Sequence, residues 1–142
     1  MGTMTILALD PGHTTGWAIL TEEKVEATGM FSGYDGVQDL IVGFTPDIAV
    51  LENFTLYPWK SQALAWNEPR TVQYLGVMKY LLDEAGVPWL LQSASLVKKL
   101  SKRLVGYHSD HERDAVTHGI VYLQRQGLAT QELRHLIWRR DD

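Results

Sequence analysis

Two short apolar runs in this chain, Ile6-Leu7-Ala8-Leu9 and Ile48-Ala49-Val50-Leu51, each end directly in a carboxylate, Asp10 and Glu52. Runs of this length and composition read as strands buried on both faces, and such strands require helical layers to cover them. In sheets of that kind the functional side chains collect at the C-terminal ends of the strands. If the two runs are parallel neighbours, their carboxylates converge at one edge of the sheet.

The rest of the chain supplies the elements such a sheet needs. Residues 4–10 form the first strand, and Pro11-Gly12 opens a turn. Residues 15–21 and 25–33 form the second and third strands, the third weakened by Gly29, and the short links between them predict an antiparallel meander. Val37, Leu40, Ile41 and Phe44 give helical spacing over 35–45, stopped by Pro46 and Asp47. After the strand at 48–52, residues 53–68 read as an aromatic loop carrying Phe54, Tyr57, Trp59, Lys60 and Trp66. A long helix is predicted from Pro69 to about Ala85 with Gly86 at its C-cap, then a strand over 87–92, a short basic helix over 94–104, and helices over 111–126 and about 130–139. The order is β-β-β-α-β-α-β-α-α. It predicts an α/β fold with a mixed five-stranded sheet, an antiparallel meander plus parallel strands, flanked by helices. Residues 1–142 are of a length that suits one domain.

Cysteine is absent, which excludes a disulfide scaffold, thiolate metal sites and a cysteine nucleophile. No apolar run approaches the roughly 20 residues of a membrane span. The N-terminus enters strand-like sequence without a basic n-region, so we expect a soluble, cytoplasmic protein that engages no membrane. The net charge is −4, but it is unevenly spread: residues 1–59 hold one base and eight acids, residues 60–142 twelve bases and nine acids. Lys98, Lys99, Lys102 and Arg103 form the densest basic run, and Arg134, Arg139 and Arg140 a second group. That asymmetry permits an anionic partner on one face.

Four residues make a candidate metal site: Asp10, Glu52, His111 and Asp114. Asp-Pro-Gly is good turn chemistry, so Asp10 alone has a purely structural reading. Glu52 has less of one, because Glu is a poor turn former. His111 and Asp114 lie three apart on one face of a predicted helix. Asp110 and Glu112 read as solvated acids of its first turn, favoured there by the helix dipole. Carboxylates with one imidazole suit Mg²⁺ or Mn²⁺. Two such ions roughly 4 Å apart can activate a water and stabilise the leaving oxygen of a phosphodiester.

These residues carry a family resemblance. ILALDPGHTTGWAIL (6–20) resembles the first motif of the RuvC-type Holliday junction resolvases, and DIAVLENF (47–54) resembles their second acidic motif. HERDAVTHGIVYL (111–123) resembles the C-terminal motif, where an acid or His stands three before an Asp followed by Ala. RTVQYLGVMKYLLDEAGVPW (70–89) and SASLVKKL (93–100) look like the central helix, the next strand and the segment after it. The resemblance spans nearly the whole chain in order, and looks most like the small phage-borne members. It implies an RNase H-like fold, a homodimer, divalent metal (Mg²⁺ or Mn²⁺, two per site) and paired nicking of four-way DNA junctions that leaves a 5′-phosphate. It implies Asp10, Glu52, His111 and Asp114 as metal ligands, His111 standing where many members have Asp. It implies Lys98 as a catalytic residue that stabilises the transition state. For a phage-borne member the expected compartment is the cytoplasm of a bacterial host.

Candidate DNA contacts are Lys98, Lys99, Lys102 and Arg103, which could otherwise be a solvated helix face, and Phe54, Tyr57 and Lys60 near Glu52. The aromatic rings could stack on unpaired bases, or pack the long helix or a dimer interface, the reading preferred for Trp66. His118 shares the helix face of His111 and Asp114, either orienting a ligand or serving as a buried structural histidine. Thr14 and Thr15 either bond phosphate or hold the turn. Three other functions compete. An RNA-processing nuclease related to YqgF would share the fold, but its Asp-Glu-Arg-Leu-Thr motif is missing. A sugar-kinase-type phosphotransferase resembles the chain at its first phosphate loop but needs a second lobe that 142 residues cannot hold. A non-catalytic junction-binding module would not need all four acid-site residues.

Overall fold

A computed structural model describes residues 3–53 and 70–138. Five strands, β1 (Ile6–Asp10), β2 (Thr14–Leu20), β3 (Val25–Ser32), β4 (Ile48–Asn53) and β5 (Trp89–Ser93), form one sheet in the order β3-β2-β1-β4-β5. β1 runs antiparallel to β2 and parallel to β4; β2 and β3 are antiparallel, β4 and β5 parallel. This is the expected mixed sheet of an RNase H-like α/β fold. No helix among the described residues is long and apolar enough to cross a membrane.

Alternation along the strands decides what lies on each face. Ile6, Ala8, Ala18, Leu20 and Val50 face one layer, built from α3 (Ala94–Ser101), α4 (Asp110–Arg125) and the short α5 (Gln131–Arg134). Leu7, Leu9, Ile19, Ala49 and Leu51 face the other, built from α1 (Val37–Phe44) and α2 (Arg70–Glu84). Asp10 shares the parity of Ile6 and Ala8, and Glu52 that of Val50. Both acids therefore belong to the α4 side of the sheet.

α4 is the best-buried helix, its residues from Asp114 through Leu123 packed out of solvent. Gly16 makes its approach possible: a Cβ there would run into the main-chain carbonyl of His111, in the first turn of α4. The Thr-Gly pair after the first turn is thus a packing requirement of the helix that carries Asp114. On α2, Leu75, Met78 and Leu82 are buried against the sheet, whereas Tyr74, Val77 and Leu81 stay half-buried and Tyr80 is 61% exposed. Gly86 ends the helix in the left-handed region at φ 72°, with Val87 donating back to Leu82 O at 2.9 Å.

Some boundaries differ from expectation. The basic helix ends at Ser101, with Lys102 as its C-cap, so Arg103 lies beyond it. The last helix covers only Gln131–Arg134 instead of 130–139. Beyond it three-residue bonds, Leu136 N to Leu133 O and Ile137 N to Arg134 O, mix with a four-residue one, Trp138 N to Arg134 O at 2.8 Å, and Leu133 and Ile137 stay on the core.

Candidate active site

Leu9 pairs with Leu51 across the parallel β1–β4 ladder. The next residue on each strand is an acid, and α4 lays Asp114 over them from above. Asp10, Glu52 and Asp114 offer carboxylate oxygens that lie within 4.8 Å of one another. Asp10 and Asp114 are 7% and 6% exposed. They stand in a cleft of about 600 Å³ whose walls include Pro11, His13, Thr14, Thr71, Lys98 and His111.

Three carboxylates so placed are short of positive charge. Burial, then the hydrogen bond and charge of Glu52, then the charge of Asp114 push the Asp10 carboxyl up to about 9, against the opposing pull of Lys98. Burial also raises Glu52, but hydrogen bonds from His118 and Asp10 outweigh it and hold the group at about 2. The two carboxyls are driven in opposite directions, Asp10 holding a proton more tightly than an ordinary carboxyl and Glu52 less tightly. Lys98 reaches in from α3, its Nζ 3.0 Å from Asp114 Oδ2. Burial lowers its pKa, yet the hydrogen bond and charge of Asp114 raise it further, so the ammonium stays charged. An all-oxygen donor set with a deficit of countercharge fits a hard divalent cation such as Mg²⁺ or Mn²⁺.

His111 opens onto the same cleft but stands apart from the three acids. Its Nδ1 is 3.8 Å from Asp10 Oδ2 and its side chain is 48% exposed. His118, one turn beyond Asp114, is wholly buried and reaches Glu52 Oε1 with Nε2 at 3.0 Å. Thr15 and Thr14 part company. Thr15 is buried and holds the turn, donating to Gly33 O at 2.6 Å, while Thr14 lines the cleft.

Lys99, Lys102 and Arg113 line a neighbouring cleft of about 410 Å³ that shares Lys98, Asp110 and Asp114 with the first. Arg113 pairs with Asp110. Arg103 donates to Ile137 O at 3.0 Å. Phe54, Tyr57 and Lys60, with Trp59 and Trp66, lie outside the described residues.

One expectation is corrected. Glu112 is not a solvated first-turn acid but 3% exposed. Ser109 caps α4 by accepting from Glu112 N at 3.2 Å, and Glu112 in turn accepts from Ser109 Oγ and, at 2.8 Å, from Thr28 Oγ1 of β3. This ties the start of α4 to the sheet edge, and the Ser-x-x-Glu spacing of residues 109–112 was the signal for it. Gln92, which bonds His118 at 3.0 Å, had no comparable signal.

The chain is similar in structure to Thermus thermophilus RuvC. The RuvC structure in complex with Holliday junction substrate superposes with a TM-score of 0.66 and another RuvC structure with 0.67, each at 16% identity over 89% of this chain and 99% of that one. No protein-family model and no curated protein sequence matches it. The fold on which Asp10, Glu52 and Asp114 converge is therefore RuvC-like.

Proposed function

We propose that residues 1–142 are a single nuclease domain, a metal-dependent endonuclease that resolves four-way or branched DNA junctions by paired phosphodiester hydrolysis. The observation that carries this reading is the convergence of Asp10, Glu52 and Asp114, from three separate elements, within 4.8 Å on a RuvC-like sheet. A RuvC of this fold has been captured with Holliday junction substrate, which supports branched DNA as the partner here.

Asp10, Glu52 and Asp114 would hold divalent metal, two ions of Mg²⁺ or Mn²⁺ per site. When bound, such ions polarise a phosphodiester and lower the pKa of water near it. His111, at the cleft rim beside Asp10, completes the donor set. Lys98 stands where its ammonium can leave Asp114 for a phosphate whose charge grows during hydrolysis. Lys99, Lys102 and Arg103, with Phe54, Tyr57 and Lys60, contact the DNA, and the product strand carries a 5′-phosphate. Two copies place two such sites on opposed strands, as the twofold character of a four-way junction requires. The working compartment is the cytoplasm, that of a bacterial host if the chain is phage-borne.

The test is cleavage of labelled four-way junctions, forks, flaps, duplex and single-stranded DNA with Mg²⁺ or Mn²⁺. Symmetric incision of the four-way junction is expected. Cleavage of RNA or single strands in preference to junctions would favour the processing-nuclease reading, and tight binding without incision the binding module.

A further inference from the structure

Glu52 lies directly across the β4–β5 ladder from Gln92. The two side chains therefore emerge on the same face, and α4 sets His118 over both. Gln92 is 4% exposed and His118 wholly buried. Gln92 Nε2 lies 3.0 Å from His118 O and also 3.0 Å from His118 Nδ1. A main-chain carbonyl can only accept, so the Gln92 amide must turn its NH₂ toward His118. The second hydrogen of that NH₂ then meets Nδ1, which must accept it. The ring proton is left on Nε2, 3.0 Å from Glu52 Oε1. Each of these three contacts fixes the next.

We infer that Gln92 and His118 are positioning residues, holding the Glu52 carboxylate in the orientation in which it meets Asp10 and Asp114 as a cation ligand. This deepens the nuclease reading and rests on it. A free glutamate loses the rotamer freedom of its side chain when it binds a cation. A glutamate already pinned at Oε1 has lost that freedom beforehand. The same helix thus supplies a ligand, Asp114, and one turn later the imidazole that aims another. Hydrogen-bond partners of metal ligands contribute about 10–100-fold to metal affinity.

The experiment uses the full chain without DNA. Long-range ¹H–¹⁵N NMR of the His118 ring reads the tautomer, and free Mn²⁺ measured by electron paramagnetic resonance reads affinity. The wild type should show the Nε2–H tautomer. Gln92→Met and His118→Leu should each bind Mn²⁺ at least fivefold more weakly, whereas His118→Gln, whose amide can still donate toward Glu52, should stay within fivefold of wild type. An Nδ1–H tautomer in the wild type overturns the inference. So does Gln92→Met within fivefold of wild type, or His118→Gln as weak as His118→Leu, which would assign the loss to packing. Circular-dichroism melting checks that each variant is folded, and Gln92→Met decides if His118→Leu is not. Junction cleavage by the wild type is assayed in parallel. A wild type that cuts while Gln92→Met keeps its Mn²⁺ affinity sinks this inference alone. A wild type that neither binds Mn²⁺ nor cuts branched DNA sinks the nuclease reading and this inference with it.

Discussion

Asp10 and Glu52 end two neighbouring parallel strands with their carboxyls driven in opposite directions, Asp10 pushed up to about 9 and Glu52 held at about 2. The pair is arranged against itself: with Glu52 ionised, Asp10 beside it resists ionising until positive charge is added. A fold that keeps such a pair buried gives up stability at the site, as functional sites commonly do.

The first prediction follows from that conflict. Asp10 has a folded pKa above its unfolded value, so its contribution to stability is fully present below about pH 4 and is lost as pH rises toward 9. An amide needs no proton to sit beside Glu52. Asp10→Asn should therefore stabilise the metal-free protein at pH 8 by about 0.5–2 kcal/mol, with the gain shrinking toward pH 4. Urea unfolding in EDTA at the two pH values measures it. The same variant should keep junction binding and lose cleavage. A residual rate above about a tenth of wild type, only ~1.4 kcal/mol of barrier, would be too much for a metal ligand.

Binding of a divalent cation must displace the Asp10 proton, because a ligating carboxylate is ionised. Mn²⁺ affinity should therefore rise with pH up to about 9, the value to which Asp10 is raised. Glu52, already ionised above about 2, adds no pH dependence in that range. Calorimetric titration in buffers of different ionisation enthalpy should find about one proton released per site at pH 7. Affinity that is flat between pH 6 and 9 would contradict the raised Asp10 carboxyl.

His111 gives a sharper test of composition than of geometry. With Nδ1 3.8 Å from Asp10 Oδ2, it can approach the donor set by a side-chain rotation. His111→Asp keeps a ligand atom near that position and should retain cleavage within about tenfold, while His111→Ala should fall well below it. Equal losses in the two variants would remove His111 from the ligands.

Gly16→Ala tests how the site is assembled. The added Cβ meets the His111 carbonyl, which is main chain and can yield only if α4 moves. Overpacking of this kind costs about 1–3 kcal/mol. Thermal melts should show the loss, and cleavage should drop further than stability explains, because α4 carries Asp114.

The parts of this site that were legible in the sequence are those set by short-range pattern. An apolar strand fixes the parity of the residue that ends it, so Asp10 and Glu52 were placed before any contact was known. His118 was legible by helical spacing, but only its contacts separate an orienting imidazole from a structural one. Gln92 was silent, since a polar residue at the end of Trp89-Leu90-Leu91 is explained only by what packs over it. Glu112 differs from its sequence reading because dipole and capping both favour an acid in a first turn, whereas the contact with Thr28 that ties it to the sheet is remote in sequence. The last helix reads longer in sequence because Leu133 and Ile137 keep a helical spacing through turns of mixed three- and four-residue bonding.

The final prediction concerns a second copy. α2 buries Leu75, Met78 and Leu82 against the sheet, with Tyr74 and Leu81 half-buried at the margin of the same core, and leaves Tyr80 turned outward. Tyr80 is 61% exposed, and Val42 of α1, 78% exposed, lines with Ile41, Leu81, Asp39 and Glu84 a groove of about 600 Å³. Burying such a surface between two copies would remove apolar area from water, and symmetric incision needs two sites on a twofold axis. Sedimentation equilibrium at micromolar concentration should give twice the 16.1 kDa chain mass. Tyr80→Glu combined with Val42→Glu, charges that the exposed positions of one subunit can carry, should shift the protein toward monomer. Paired nicking should then fall more steeply than incision of a single strand. A wild type near 16.1 kDa that still nicks in pairs would sink the interface. A monomer that nicks one strand only would move the reading to a processing nuclease.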